Sequence, residues 1–499
     1  MTQQTNGSGI ESLEPQSVWR IFAGMAAVPH PSKKEARIRA HVRQMAEEKG
    51  LTVREDSVGN MVVEVPASPG CEGAPITVLQ GHLDMVCEKN ADTVHDFDND
   101  PLKVVIDRSP EGTAIVRAEG TTLGADNGIG VAMALAAAFS PDVRHGPLEL
   151  LFTIDEEAGM SGAKVLVPEF FRGRRLLNLD AEEDDVLYIG CAGGTDSTLT
   201  LQCPLEAPPA GGEVCRVTVS GLCGGHSGGD IHLNRANAVR VLARALREAS
   251  VEGLRLAAFS GGSLRNAIPR EATAVVAGPA GTADALRQAA TAAQAEAVRD
   301  NNEPECQVSV EACGASEAAK CLSPEDTRRL AALLIGLPCG VLALVPEIPG
   351  LVRTSNNVAT VAGEADAAKL RVTIGCLSRS SSGDQLAEAV RQIAAVGELA
   401  GAEVVSGNTY PGWQPNTDSP LLATCREVYE RLFGAAPEVT AIHAGLECGL
   451  IGERVGGMDM ISFGPCIRGA HSPDERVYIE SVQKSWKYLT AVLGELARG

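Results

Sequence analysis

Three short apolar runs in the first 190 residues each give out onto acids or an imidazole. "ITVLQGHLD" delivers His82 and Asp84, "LELLFTIDEE" delivers Asp155, Glu156 and Glu157, and "RLLNLDAEE" delivers Asp180, Glu182 and Glu183. Apolar runs without alternation belong to strands buried on both faces, and here they are separated by helical patterns. "NMVVEV" is another strand, and "GIGVAMALAAAF" reads as a packed helix with Asp126 and Asn127 at its entrance. Ser32-x-x-Glu35 reads as a capping box opening an amphipathic helix with Ile38, Val42 and Met45 on one stripe, ended by Gly50. The pattern predicts an α/β fold whose ligands gather outside the carboxyl ends of the strands.

Near residue 190 the style changes. "IGCAGGTDST" is Gly-rich, and strands such as "EVCRVTVSG" alternate. From Glu213 the order reads strand, helix (234–249), two strands, helix (282–299) and the strand "CQVSVEAC". A second set follows: a helix from Ser323, strands "NVATVAG" and "KLRVTIGCL", a helix from Asp384, and a strand in "AEVVSG". These are two related α+β halves, alike in element order and not in residues. After "YPGWQP" the α/β style resumes, with strands "EVTAI" and "MDMISF" and a last helix from Ile479. The expected organisation is a catalytic domain over 1–190 and 406–499, with a mixed, mostly parallel sheet covered by helices, interrupted by an α+β domain over 191–405.

Composition narrows the function. A chain of 499 residues exceeds one ordinary core. The formal charge of -21 argues against nucleic acid or an anionic membrane as partner. The N-terminal "MTQQTNGSGIESLEPQ" lacks the basic and apolar segments of a signal peptide, and no apolar stretch approaches a membrane span. The 14 cysteines are scattered with no Cys-x-x-Cys, as expected of reduced thiols in a cytoplasmic protein.

An isolated His-x-Asp is ordinarily a satisfied turn. Acids on several strand ends of one sheet change that reading, because they repel one another unless a cation sits among them. Asp126 waits in "LGADNG", and "FGPCIRGAHSPDE" places His471 after another strand. Imidazole mixed with carboxylate suits zinc, cobalt or manganese better than magnesium or calcium. His82 is thus a candidate ligand, and Asp84 the carboxylate that fixes its tautomer.

The strings "GHLDMVCEKN", "TLGADNGIGVA", "LFTIDEEAGMSGA", "LLNLDAEE", "GLCGGHSGGDIHLNRANA", "RNAIPREA", "IHAGLECGLIGE" and "ISFGPCIRGAHSPDER" resemble the aminoacyl-histidine dipeptidases. These belong to the large family of two-zinc aminopeptidases, aminoacylases and carboxypeptidases. The likeness runs from about residue 15 to the end.

The resemblance implies two zinc ions per chain, with cobalt or manganese as substitutes. His82 and Asp180 would bind one, Glu157 and His471 the other, and Asp126 both, across a cis Asp126–Asn127 peptide bond. Such a pair can polarise a scissile carbonyl and lower the pKa of a water. Glu156 would be the general base. The inserted domain would be a lid through which the chain forms a homodimer. His226 in "GGHSGG" would stabilise the oxyanion. Asn266 and Arg379 would hold the substrate's backbone and carboxylate, with Arg353 a rival for the carboxylate. Gly445 would let backbone approach the substrate, and Glu447 would meet its free amine. His443 is open between core and site, while His30, His41, His95, His145 and His232 read as surface or structural residues. The implied activity is hydrolysis of dipeptides with a free N-terminus, Xaa-His included. The same scaffold could serve a deacylase or carboxypeptidase, and a silent binding homologue is a further alternative. "DAEEDDVLYIG" is more acidic than this family's usual pattern, and Arg353 in "VRTSNN" stands where the family varies.

Overall fold

The computed structural model describes residues 9–346, 348–366 and 368–498. Met1–Ser8 of the polar N-terminal stretch lie outside the described residues. The chain divides into two compact units, one of Met1–Gly190, Pro415–Ala441 and Glu447–Gly499, the other of Cys191–Gln414 and Ile442–Leu446.

In the first unit, strands Thr77–His82 and Leu148–Thr153 are buried at every position. Successive side chains of a strand point to opposite faces, so both faces of the sheet are covered there. Eight strands follow the order Thr52–Glu55, Met61–Val65, Leu148–Thr153, Thr77–His82, Arg175–Asn178, Asp459–Ser462, Val186–Cys191 and Glu438–Ile442. The four central strands, Leu148–Thr153 to Asp459–Ser462, run parallel, and antiparallel pairs flank them. His82 pairs with Thr153, and Asn178 pairs with both Gln80 and Ser462, so the acid-bearing ends fall on one edge.

A smaller antiparallel sheet joins Ile467–Arg468, Arg476–Tyr478, Ala114–Ala118 and Val104–Arg108. The sequence patterns had not marked the strands Val104–Arg108 and Ala114–Ala118. Its 467–478 hairpin presents His471 on a tight loop. Gly469 there has φ +69°, and a Cβ would come within 2.8 Å of the Asp474 carbonyl oxygen.

Two local expectations fail. Helix Ala36–Glu48 forms, but Ser32 and Glu35 do not close a capping box. The Ser32 hydroxyl donates to Asp84 Oδ2 (2.7 Å), and Glu35 Oε1 accepts from the N–H groups of Lys33 and Asp155. The hydroxyl is oriented to donate to the buried Asp84 carboxylate, a charge-assisted bond, and does not accept from a helix N–H. In the second unit the helix expected from 234 begins at Ala238. Asn237 caps it by accepting from the Arg240 N–H, while Asn234 ends a preceding 3₁₀ turn at φ 54°.

The second unit is built on an antiparallel sheet: Gln307–Ala312, Glu213–Ser220, Ala272–Gly278, Arg255–Gly261, Val352–Ala365, Lys369–Ser380, Gly193–Pro204 and Glu403–Tyr410, with Gly340–Leu344 paired beside Val352–Ala365. Alternate residues such as Cys215, Val217 and Val219, or Leu370, Val372 and Ile374, share one core with helices Ala238–Glu248, Thr282–Asn301, Pro324–Gly336 and Gly383–Leu399. The two halves join in a single sheet where Ser260 and Gly261 pair with Ala362 and Val361. Strand Glu403–Tyr410 closes that sheet against Gly193–Pro204, and Trp413 and Cys191 exchange backbone hydrogen bonds of 2.9 Å. The unit therefore runs to Gln414, past the expected 405, and takes in Ile442–Leu446 as well.

The 14 cysteines are free, most of them buried. Among the described residues no helix is long and apolar enough to cross a membrane.

Candidate metal centre

Five side chains meet beyond the strand ends of the first unit. His82 Nε2 lies 3.1 Å from Asp126 Oδ1 and 3.3 Å from Asp180 Oδ1. His471 Nε2 lies 3.3 Å from Asp126 Oδ2 and 2.9 Å from Glu157 Oε2. Asp126 thus turns one oxygen to each imidazole, and each imidazole has a second carboxylate of its own. Asp126 is placed by the entrance of helix Ala125–Phe139, where it and Asn127 leave helical geometry (ψ 109° and 25°) and the peptide bond between them is cis. The Asn127 amide donates to the Leu179 carbonyl (2.7 Å), tying this entrance to the segment that carries Asp180.

Without a cation the cluster can be neutralised only by protons. Hydrogen bonds to Asp126 and Glu157 raise His471 to about 11, and the surrounding acids raise His82 well above its ordinary value against the opposing effect of burial. Burial drives Asp180 up to about 7 and raises Glu157, whereas the two imidazoles hold Asp126 far below the usual carboxylate range against its own burial. Glu157 Oε1 and Asp180 Oδ1 are buried without a hydrogen bond. Ligand atoms of His82, Asp126 and Glu157 lie within 4.8 Å of one another. Convergent imidazole nitrogens and unsatisfied carboxylate oxygens are what a divalent cation of the zinc, cobalt or manganese type requires. The residues fit such a group.

Asp84 sits beneath His82. The His82 Nδ1 faces both the Asp84 carboxylate (Oδ1, 3.4 Å) and its carbonyl oxygen (3.1 Å). The same carboxylate accepts from the Ser32 hydroxyl and from the N–H groups of Glu156 (3.0 Å) and Glu157 (3.2 Å). Burial opposes its charge, but these donors win and hold Asp84 at about 2. One group therefore orients the imidazole and pins the turn that presents the Glu156–Glu157 pair. Burial pushes Glu156 well above its ordinary value, and the acids Asp180, Glu447 and Glu157 add to the shift against an opposing pull from His82. That is the direction a proton acceptor working near neutral pH needs.

Glu447 lies at the start of helix Glu447–Arg454. It is fully buried, and its carboxylate accepts from Gln80 Nε2 (2.7 Å) and Thr153 Oγ1 (2.5 Å). Burial raises it to about 8, against the pull of its hydrogen bond from Thr153. Sequence reading missed Gln80 and Thr153 as its partners, and the one available signal was two polar residues inside apolar strands. It also missed Glu475, whose buried carboxylate accepts from the N–H groups of Leu123, Gly124, Ala125 and Asp126.

In the second unit His226 and Asn266 come together. Strand Gly225–His226 pairs with Ala267–Ile268, and the Ser227 N–H donates to the Asn266 carbonyl (2.8 Å). The Gly229 N–H donates to His226 Nδ1 (3.0 Å), which places the hydrogen of the neutral ring on Nε2. Arg379 lies opposite Ser355, is 5% exposed, and donates to the Tyr410 hydroxyl (2.9 Å), with its Nε unpaired. His443 shares a 2.7 Å hydrogen bond with Ser355 Oγ, and burial with repulsion from Arg379 lowers it to about 3. Arg353 is half-buried two residues before Ser355, and Gly445 lies in the loop after His443. His30 and His145 are buried, each with Nδ1 against a backbone carbonyl oxygen, and His95 is packed edge-on to Phe97.

Residues 78–495 match the profile of peptidase family M20/M25/M40. The chain is 44% identical to the cytosol non-specific dipeptidase of Escherichia coli K12, over 98% of this chain and 99% of that protein. Among solved structures it is similar to the aminoacylhistidine dipeptidase of Vibrio alginolyticus, at 41% identity with a TM-score of 0.87 over 98% of each chain. An aminopeptidase from Bacillus cereus shares the fold alone, at 15% identity with a TM-score of 0.59 over 97% of this chain and 99% of that one. Two imidazoles and three carboxylates gathered beyond the strand ends, on a sequence alike over nearly its whole length, have one consistent account: the chain belongs to peptidase family M20/M25/M40.

Proposed function

We propose that this chain is a metal-dependent dipeptidase that cleaves dipeptides with a free amino terminus, Xaa-His dipeptides included. The observation that carries the reading is Asp126, with one oxygen toward the His82–Asp180 pair and the other toward the His471–Glu157 pair. That is the arrangement of a carboxylate shared by two cations, for which we propose zinc. The relatives named above are dipeptidases at 44% and 41% identity over nearly full length, which supports the substrate class.

When bound, two such cations supply Lewis acidity to the scissile carbonyl and to a water. The chain's own residues do the rest. Glu156, its affinity for a proton raised by burial, receives the proton the attacking water loses and returns it to the leaving amine. Asp84 keeps the His82 ring turned with Nε2 toward Asp126 and Asp180. His226 offers an Nε2 hydrogen to the developing oxyanion, Arg379 and Asn266 hold the substrate carboxylate and backbone, and Gly445 leaves room for its main chain. The second unit acts as a lid and joins two copies in a homodimer. The compartment is the cytoplasm, as the name of the Escherichia coli relative states for that protein.

The test is a panel of free and N-acylated dipeptides, with protein freed of metal by a chelator and then reloaded with zinc, cobalt or manganese. Activity should need added metal, vanish when the amine is acylated, and be lost in Glu156→Ala. Equal hydrolysis of blocked substrates would overturn the dipeptidase reading in favour of a deacylase or carboxypeptidase. Full activity after chelation would overturn the metal centre.

A further inference from the structure

Glu475 lies outside the five clustered residues and is 2% exposed. Its Oε2 accepts from the N–H groups of Leu123 (2.7 Å) and Gly124 (3.1 Å), and its Oε1 from those of Ala125 (2.8 Å) and Asp126 (3.3 Å). These four successive donors lead into helix Ala125–Phe139, two of them just before it and two in its first turn. A helix start leaves such donors unpaired and carries partial positive charge, so an anionic acceptor suits it. Here the acceptor comes from about 350 residues away in sequence. It ends the loop that carries His471, and its own N–H is held by the Ser472 carbonyl (3.0 Å).

We infer that Glu475 is a positioning residue: by gripping this run of N–H groups from the His471 hairpin, it fixes the Asp126 carboxylate between the two imidazoles and so sets the spacing of the two cation positions. The inference rests on the two-cation reading above. Asn127 anchors the same entrance from the Asp180 side, so the shared carboxylate is held from both flanks.

The experiment compares wild type with Glu475→Gln, Glu475→Asp and a control, Glu149→Gln. Glu149 is also fully buried and accepts from two backbone N–H groups, of Arg172 and Gly173 (2.8 Å each), but it sits at the other end of its strand from Thr153 and the acids beyond it. The readouts are zinc affinity by competition with a chelator, the visible spectrum of cobalt-loaded protein, and Tm without metal. An amide keeps one acceptor oxygen for four donors. Glu475→Gln should weaken the looser-held of the two cations at least tenfold and alter the cobalt spectrum, while Glu475→Asp, with both oxygens on a shorter arm, falls in between. Glu149→Gln should lower Tm alone. If Glu475→Gln binds both cations as wild type does and merely melts earlier, Glu475 is only a helix cap and the inference is overturned. Should that variant fail to fold, Glu475→Asp decides: at least threefold weaker binding supports the inference, and wild-type affinity overturns it. Wild-type protein that holds fewer than two cations overturns the parent reading instead.

Discussion

Replacing Asp84 by Asn changes two atoms' chemistry and almost no volume. Four donors converge on the native carboxylate: His82 Nδ1 and the Glu156 N–H at Oδ1, the Ser32 hydroxyl and the Glu157 N–H at Oδ2. An amide offers one acceptor. With its oxygen in the Oδ1 place, the Glu156 N–H and the His82 ring keep their partner, and the Ser32 hydroxyl can turn to accept. The Glu157 N–H then faces an NH2 group. The opposite orientation strands two donors and is worse. One orphaned buried donor costs about 1–3 kcal/mol. Metal-free Asp84→Asn should therefore lose that much stability, a fall in Tm of about 1–2 °C per kcal/mol for a unit of this size. The His82 ring keeps its 3.1 Å contact to the Asp84 carbonyl oxygen, so it is not set loose. What it loses is a charged partner, a change that typically lowers metal affinity or activity by about 10–100-fold. Turnover of a dipeptide at buffered free zinc, beside thermal melts of the metal-free protein, separates the two effects. A lowered Tm with wild-type affinity and turnover would mean that Asp84 only pins the Glu156–Glu157 turn. Wild-type values throughout would refute the hydrogen-bond account itself.

His226→Ala should lower kcat by about 10²–10³, the usual cost of an oxyanion donor, with metal content unchanged. Metal loss in that variant would place His226 among the ligands instead. His443 is neutral in the fold, lowered to about 3 from an ordinary 6.5, so an unfolded chain takes up its proton first as pH falls. It adds nothing above pH 6.5 and destabilises the fold by about 1.4 kcal/mol per pH unit from there down toward 3, or about 2 kcal/mol at pH 5. Denaturant unfolding of metal-free wild type at pH 5 and 8, compared with His443→Gln, isolates this slope. Identical slopes in the two proteins would refute it.

The strands and the acids at their ends were legible because burial on both faces leaves an unbroken apolar run that stops where the chain meets the site. Such junctions offer His82, Asp84, Asp155, Glu156, Glu157, Asp180, Glu182 and Glu183 alike, and it is the family resemblance that implies His82, Asp126, Glu157, Asp180 and His471 as the ligands. The supports of those residues were not legible. Glu475 reads as one more surface acid in "SPDER", and only the fold reveals four N–H groups waiting for it. Ser32 and Glu35 carry a local signature for a helix cap, yet a partner 52 residues on claims the Ser32 hydroxyl. Local patterns report what neighbours in sequence can do, and a charged group brought in by the fold overrides them. The same limit hid the partners of Glu447, because Gln80 and Thr153 lie about 300 residues or more away in sequence.

Asp126 and His471, which share one face of the cluster, are 345 residues apart along the chain. The four clustered side chains other than His471 all come from residues 82–180, so the cluster is completed only by this long-range contact. On the reading proposed here, the second cation position draws Asp126 and Glu157 from the first third of the sequence and His471 from its last tenth, so neither stretch holds that cation alone.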